Sequence, residues 1–436
     1  MRRDPPRCLL GVAAILLLAT CAVPSAAAAE GRDERPNILL LFADDLGVEG
    51  LTPYGGKAYR TPNLDRLAEN GMTFELAYAT PVCVASRVEL LTGQYPFRNG
   101  WMGLTGPFDQ KGGYVSPGLP SLACGLRDAG YATAAAGKWH LAPLPVRPRH
   151  PNQFGFDEYH LWKPGKRRYW KPWIMRDGEV REDLSEGAYG PDLHAEFVID
   201  FIERNRNRPW FVYYPMLLVH EPLGRTPTGG TTDGDHVAYM DDIVGRLVAA
   251  IARLDLTGRT WVFFLADNGS PVIRSVQRGD RTIFGGKRDL SDRGAAVPFI
   301  VDGPGVPAGS RFDGVVDLSD VFPTIYGLAG LPLPSGPTFD GESLVRILRG
   351  QPGPRRQAAY VQFQDRFFVR DPGWRLHGDG RLYEMSERFD PKLVGEPASV
   401  EAREARRRLT EALRKIRPDV EIPIPSPVPV EESPSR

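Results

Sequence analysis

Cysteine is scarce in this chain, with four residues in 436, at Cys8, Cys21, Cys83 and Cys124. That excludes a disulfide-stapled scaffold, in which cysteine is dense. Neither sign of charge is in excess, since 54 Lys+Arg balance 54 Asp+Glu. No overall field therefore draws the chain to nucleic acid or to an anionic membrane. No internal repeat is visible, which excludes a solenoid. The one strongly apolar run near the start, residues 9–18, is too short for a comfortable membrane span.

What is present begins with that run. Arg2, Arg3 and Arg7 precede it and small residues from Ser25 to Ala29 follow it, so residues 1–29 read as a secretory signal peptide. The mature protein is expected to be exported, periplasmic or secreted. Leu18-Ala19-Thr20-Cys21 fits a lipoprotein cleavage box poorly, so lipidation is the lesser expectation. Only Cys83 and Cys124 remain after cleavage. They could pair in an oxidising compartment, but the leucines around Cys124 recur at helical spacing and read as core packing.

The length allows two or three domains. Residues 37–42 form a continuous apolar run, as do 131–136, 210–214 and 261–265; such runs suit strands buried on both faces. Helices are expected over 61–71, 119–130, 192–207 and 235–254. The alternation predicts an α/β fold with a mostly parallel central sheet flanked by helices. Short strands over 360–370 and 381–385 and a charged helix over 400–416 predict a smaller C-terminal α+β subdomain. The expected organisation is a signal peptide at 1–29, a catalytic domain at 35–330, the subdomain at 331–416 and a proline-rich tail at 417–436.

Ligands of open α/β sheets bind beyond the carboxyl ends of strands. Polar residues recur there: Asp44 and Asp45, Lys138 and His140, His220, and Asp267 and Asn268. Asp44, Asp45, Asp267 and Asn268 offer oxygen donors only, which suits a hard cation such as calcium or magnesium rather than zinc. Each cluster alone is more often a turn or a helix cap; four after four predicted strands point to one shared site. Cys83 opens a predicted helix with Arg87 one turn on, an arrangement that favours a thiolate.

The run Thr80-Pro81-Val82-Cys83-Val84-Ala85-Ser86-Arg87, with Thr61-Pro62-Asn63-Leu64-Asp65-Arg66 and Leu91-Thr92-Gly93-Gln94-Tyr95-Pro96, strongly resembles the signature of the type I sulfatases of the alkaline phosphatase superfamily. The family carries Cys-x-Pro-x-Arg and its cysteine is oxidised to formylglycine by a maturation enzyme; here Ala85 replaces the proline. Gly137-Lys138-Trp139-His140, His220-Glu221-Pro222 and Lys287 match further family motifs, although the usual Glu-Gly-Gly-x-Arg-Val-Pro pattern appears as Asp292-Arg293-Gly294-Ala295-Ala296-Val297-Pro298. The resemblance runs from about residue 35 to 414 and implies an alkaline phosphatase-like fold. It implies one calcium ion, with magnesium the alternative, held by Asp44, Asp45, Asp267, Asn268 and the modified Cys83. It further implies a formylglycine diol that attacks the sulfur of a sulfate monoester and later expels sulfate. Lys138 and Lys287 would meet the sulfuryl oxygens, His140 would act as base, His220 would protonate the leaving oxygen, and Arg87 would orient the modified residue.

Cations and aromatics crowd residues 147–173, including Arg149, Trp162, Lys163, Lys166, Arg167, Arg168, Tyr169, Trp170, Lys171 and Trp173. Flat rings and cations suit a sulfated carbohydrate slightly more than an aryl sulfate. Two other readings stay open: a phosphomonoester, phosphodiester or phosphonate hydrolase of the same superfamily, and a non-catalytic sulfatase-like binding protein.

Overall fold

The computed structural model describes residues 34–104, 113–165, 168–181, 187–395 and 397–423. The signal segment, Lys166, Arg167 and most of the proline-rich tail lie outside the described residues. In chain order the first strands are β1 (Asn37–Ala43), β2 (Met72–Tyr78), β3 (Ala132–Gly137), β4 (Glu158–Trp162), β5 (Ile174–Arg176) and β6 (Glu179–Arg181). They are followed by β7 (Trp210–Pro215), β8 (Thr260–Ala266), β9 (Ser275–Arg278), β10 (Arg281–Phe284), β11 (Phe299–Asp302) and β12 (Ser310–Asp317). Ten of them form one sheet in the order β12-β2-β11-β8-β1-β7-β3-β4-β5-β6, and β9 and β10 make a separate hairpin.

The centre of the sheet, β8-β1-β7-β3-β4, is wholly parallel. All seven residues of β1 and all seven of β8 are buried, so helices cover both faces and the strands read as unbroken apolar runs. The parallel character is interrupted where β11 runs antiparallel to both β8 and β2, and β5 antiparallel to β4 and β6.

Helix limits follow their caps. The helix expected over 235–254 is Asp233–Arg253, because Thr232 and Asp235 form a reciprocal capping box. The one expected over 192–207 is Gly190–Arg204, with Pro191 in its first turn. The one expected over 119–130 is shorter, Leu122–Asp128. Cys124 on it is half-exposed and both Cys83 and Cys124 are free thiols, so neither full core burial nor a disulfide is found.

The segment expected as one strand over 360–370 is a hairpin, β13 (Ala359–Phe363) and β14 (Arg366–Arg370), turning at Gln364 with φ 58°. With β15 (Trp374–His377), β16 (Leu382–Glu384) and β17 (Lys392–Leu393) it forms a five-stranded antiparallel meander. The Val400–Ile416 helix buries Ala402, Ala405, Leu409, Ala412 and Leu413 against this small sheet. Among the described residues, no helix is long and apolar enough to cross a membrane.

Candidate active site

Parallel register builds the centre. Ala43 at the end of β1 pairs with Ala266 at the end of β8, so Asp44 and Asp267 emerge side by side. Asp267 N–H donates to the Ala43 carbonyl at 3.0 Å, and Lys138 N–H to the Pro215 carbonyl at 2.7 Å, so the ends of β8, β1, β7 and β3 are tied together. The turn into Lys138 needs Gly137, whose φ is 107° and whose missing Cβ would lie 2.0 Å from the Pro215 oxygen. Asp45 and His140 themselves sit at φ 63° and 59°, a region that Asp and His visit more readily than most residues.

Cys83 enters from the loop after β2, at the first turn of the Cys83–Thr92 helix, which is buried throughout. One ligand atom each from Asp44, Cys83 and Asp267 lies within 4.8 Å of the others, and the same holds for Asp44, Asp45 and His220. Asn268 Nδ2 donates to Asp45 Oδ1 at 2.7 Å. Asp44 Oδ1 and Asn268 Oδ1 are buried without a hydrogen-bond partner. Buried oxygens left unpaired are costly, and a cation among them is the ordinary remedy. The donor set therefore fits a hard divalent ion such as calcium or magnesium.

Cations surround these acids. Lys138 Nζ lies 2.5 Å from Asp44 Oδ2, and Lys287 Nζ 2.5 Å from Asp45 Oδ1. Arg87 is fully buried, donates to Asp267 Oδ2 at 2.6 Å and to the Lys138 carbonyl at 3.0 Å, and lies 3.7 Å from Asp44 Oδ2. Burial would raise the Asp44 pKa, but Lys138, His220 and Arg87 hold it well below the usual carboxylate range. Burial and the Asp44 charge push Asp267 up to about 7 despite Arg87.

The thiolate expectation is reversed. Burial, then the Asp267 and Asp44 carboxylates, push the Cys83 thiol up, and the Lys138 cation does not offset them. Arg87 makes its hydrogen bonds to Asp267 and the Lys138 carbonyl. Burial and the neighbouring carboxylates thus favour the neutral thiol at Cys83.

His220 Nε2 lies 3.8 Å from Asp45 Oδ2, while its Nδ1 meets Arg168 and the Glu221 carbonyl. Desolvation, helped by Lys138 and Arg168 against the Asp44 and Asp45 charges, lowers its pKa to about 4. The His140 ring is open to solvent on one side but deeply set, and desolvation with the Lys138 and Arg87 cations lowers it well below the usual histidine value.

Arg274 was not legible as a site residue. It is almost fully buried and donates to the carbonyls of Asp45 at 2.8 Å and Val219 at 2.9 Å, bridging two of the strand-end loops. Arg168, legible only as one cation of a basic stretch, holds the His220 loop. Within that stretch cations also stack on rings, Arg168 over Trp162 at 4.9 Å and Lys163 over Trp173 at 4.2 Å.

Acidic groups that could hold a metal ion, beside two lysines at the carboxyl ends of a parallel sheet, form an arrangement suited to oxyanion esters. A sequence profile of the sulfatase family matches residues 36–331. N-acetylgalactosamine-6-sulfatase of Sus scrofa is 34% identical over 359 residues, covering 74% of this chain and 67% of that protein. Steryl-sulfatase of Mus musculus is 31% identical over 441 residues, covering 79% of this chain and 70% of its own. The crystal structure of Ps i-CgsB superposes with a TM-score of 0.75 at 25% identity, covering 88% of this chain and 92% of its own. The chain belongs to the sulfatase family, whose members are sulfuric ester hydrolases.

Proposed function

We propose that this protein hydrolyses sulfate monoesters carried on carbohydrate, with a formylglycine derived from Cys83 beside a calcium ion held by Asp44, Asp45, Asp267 and Asn268. The observation that carries the reading is the gathering of Asp44, Cys83 and Asp267 within 4.8 Å, with both lysines on the adjoining carboxylates. The bound ion and the modified residue supply a Lewis acid and a nucleophilic oxygen at neutral pH.

The chain's own groups do the rest. Lys138 and Lys287 turn their ammonium groups toward the sulfuryl oxygens as charge builds there; one such stabiliser is typically worth about 3–4 kcal/mol. His220 Nε2 faces Asp45 and the centre, while Arg168 and the Glu221 carbonyl fix the ring through Nδ1. That nitrogen is the one placed to pass a proton to the leaving oxygen, once charge building on that oxygen favours the protonated ring. His140, neutral and solvent-touching, accepts a proton from the nucleophilic residue in the second half of the reaction. Arg87 acts through Asp267 and the Lys138 carbonyl as a positioning residue.

Carbohydrate as the carrier is supported by the printed name of the N-acetylgalactosamine-6-sulfatase relatives and by a related structure solved with k-i-k-neocarrahexaose, at a TM-score of 0.73 and 25% identity. The basic, then apolar, first segment supports export, where a maturation enzyme would convert Cys83. The test is sulfate release by host-expressed protein from sulfated sugars, an aryl sulfate, a steryl sulfate and an aryl phosphate. Preference for the sugars is expected. Faster turnover of the phosphate would overturn the reaction class, and faster turnover of the steryl ester the substrate class.

A further inference from the structure

A cavity of about 550 Å³ lies between residues 289–293 and the β13–β17 sheet, and none of Asp44, Cys83, His220 or Asp267 lines it. Its size is within the roughly 300–1,000 Å³ of small-ligand sites. Five arginines and four aspartates line it. Two of those aspartates are already engaged. Asp292 accepts from the Tyr78 hydroxyl at 2.9 Å and from Arg375 at 3.2 Å, with Arg370 Nε at 3.5 Å and Arg388 Nε at 3.9 Å. One buried carboxylate thus faces three guanidinium groups. Asp379 is held by Arg381 at 2.7 Å.

Behind this balance lie two polar atoms without partners. Arg375, 3% exposed, and His377, 8% exposed, alternate onto one face of β15 and line the cavity. Arg375 Nε and His377 Nε2 are buried without a hydrogen-bond partner. Both atoms lie beneath the cavity wall, and the charge open to a ligand is that of the exposed lining residues Arg366 and Arg381. Phe367 and Tyr383 add flat walls. Leu290, on the rim, packs with Val82 and Ala85, so the cavity backs onto the turn that carries Cys83.

We propose that this cavity is a second, non-catalytic oxyanion site, taking a sulfate or carboxylate group either carried on a saccharide or free in solution. The assignment goes beyond the hydrolytic reading and does not depend on it. Crystals of the full chain soaked in sodium selenate should show anomalous density in the cavity against its lining arginines; its absence from the cavity would overturn the assignment. In solution, inorganic sulfate and a sulfated oligosaccharide are titrated against the parent, against Arg366→Ala, which changes an exposed lining residue, and against His377→Gln. At least tenfold weaker binding of one probe or both in the variants, with turnover of a small aryl sulfate unchanged, supports the site. Weakening confined to the oligosaccharide assigns the carried group, and weakening confined to inorganic sulfate the free ion. Unchanged affinity for both probes in both variants refutes it. Failure of the parent to hydrolyse any ester would sink the proposed function and leave the selenate result standing.

Discussion

Replacing Arg87 by methionine isolates the electrostatic keystone of the centre. The guanidinium is fully buried and makes two charge-assisted contacts, 2.6 Å to Asp267 and 3.0 Å to the Lys138 carbonyl. Hydrogen bonds to charged groups contribute about 1.5–3 kcal/mol each, and breaking a buried pair from one side costs about 3–5 kcal/mol. Arg87→Met should therefore lose about 3–5 kcal/mol of stability at pH 8, measured by denaturant unfolding of chelator-treated protein. Asp267 already titrates near 7, so without its cation it retains a proton to higher pH. The variant then binds more protons than the parent between the two pKa values, and its deficit shrinks as pH falls through that window, by up to about 1.4 kcal/mol per unit. Adding Asp267→Asn removes the stranded charge and should recover about 2 kcal/mol or more, a non-additivity expected of contacting groups. A single-variant loss below about 1 kcal/mol, or a strictly additive double variant, would refute the reasoning.

Cys83→Ala should abolish turnover with unchanged circular dichroism and unfolding midpoint, because the residue lost is small; residual activity above background would remove the nucleophile from Cys83. Calcium added to chelator-treated protein at about a hundred times its Kd should stabilise the fold by about 2.7 kcal/mol, and Asn268→Leu should lower that gain by removing a buried oxygen donor; an equal gain in both would place the ion elsewhere. His160 and His194 are buried, their Nδ1 atoms lie 2.9 Å apart, and desolvation lowers their pKa values to about 2 and about 3. Unfolded histidine titrates near 6.5, so their contribution is complete above that pH and is lost as pH falls, about 2 kcal/mol per histidine at pH 5. His194→Gln should flatten the stability curve between pH 7 and 5 by about that amount, and an unchanged slope would contradict the burial argument.

The four strand-end clusters were legible because parallel strands bring their carboxyl ends to one side, and because β1 and β8, buried on both faces, are unbroken apolar runs. Strand order was not legible. Nothing in the local pattern of Phe299–Asp302 marks it as the antiparallel strand between β8 and β2, since that placement is settled by tertiary packing. The hairpin at Gln364 was missed because no glycine or proline punctuates it. Arg274 was missed because its partners are backbone carbonyls of distant loops, which no motif encodes. The thiolate inference at Cys83 failed for a related reason. Helix position and Arg87 are local, whereas burial, Lys138 and the Asp267 and Asp44 carboxylates, which set the sulfur's surroundings, arrive with strands far along the chain.

The proposed reaction stands or falls with Cys83 working as an aldehyde-derived residue beside a bound cation. Peptide mass spectrometry of the Cys83 segment, on active protein purified from its own host, tests it most directly. The expected result is the mass of an aldehyde in place of the thiol, reactive toward a hydrazine probe, in proportion to the sulfate-releasing activity of each preparation. A fully unmodified thiol in preparations that still release sulfate would contradict it.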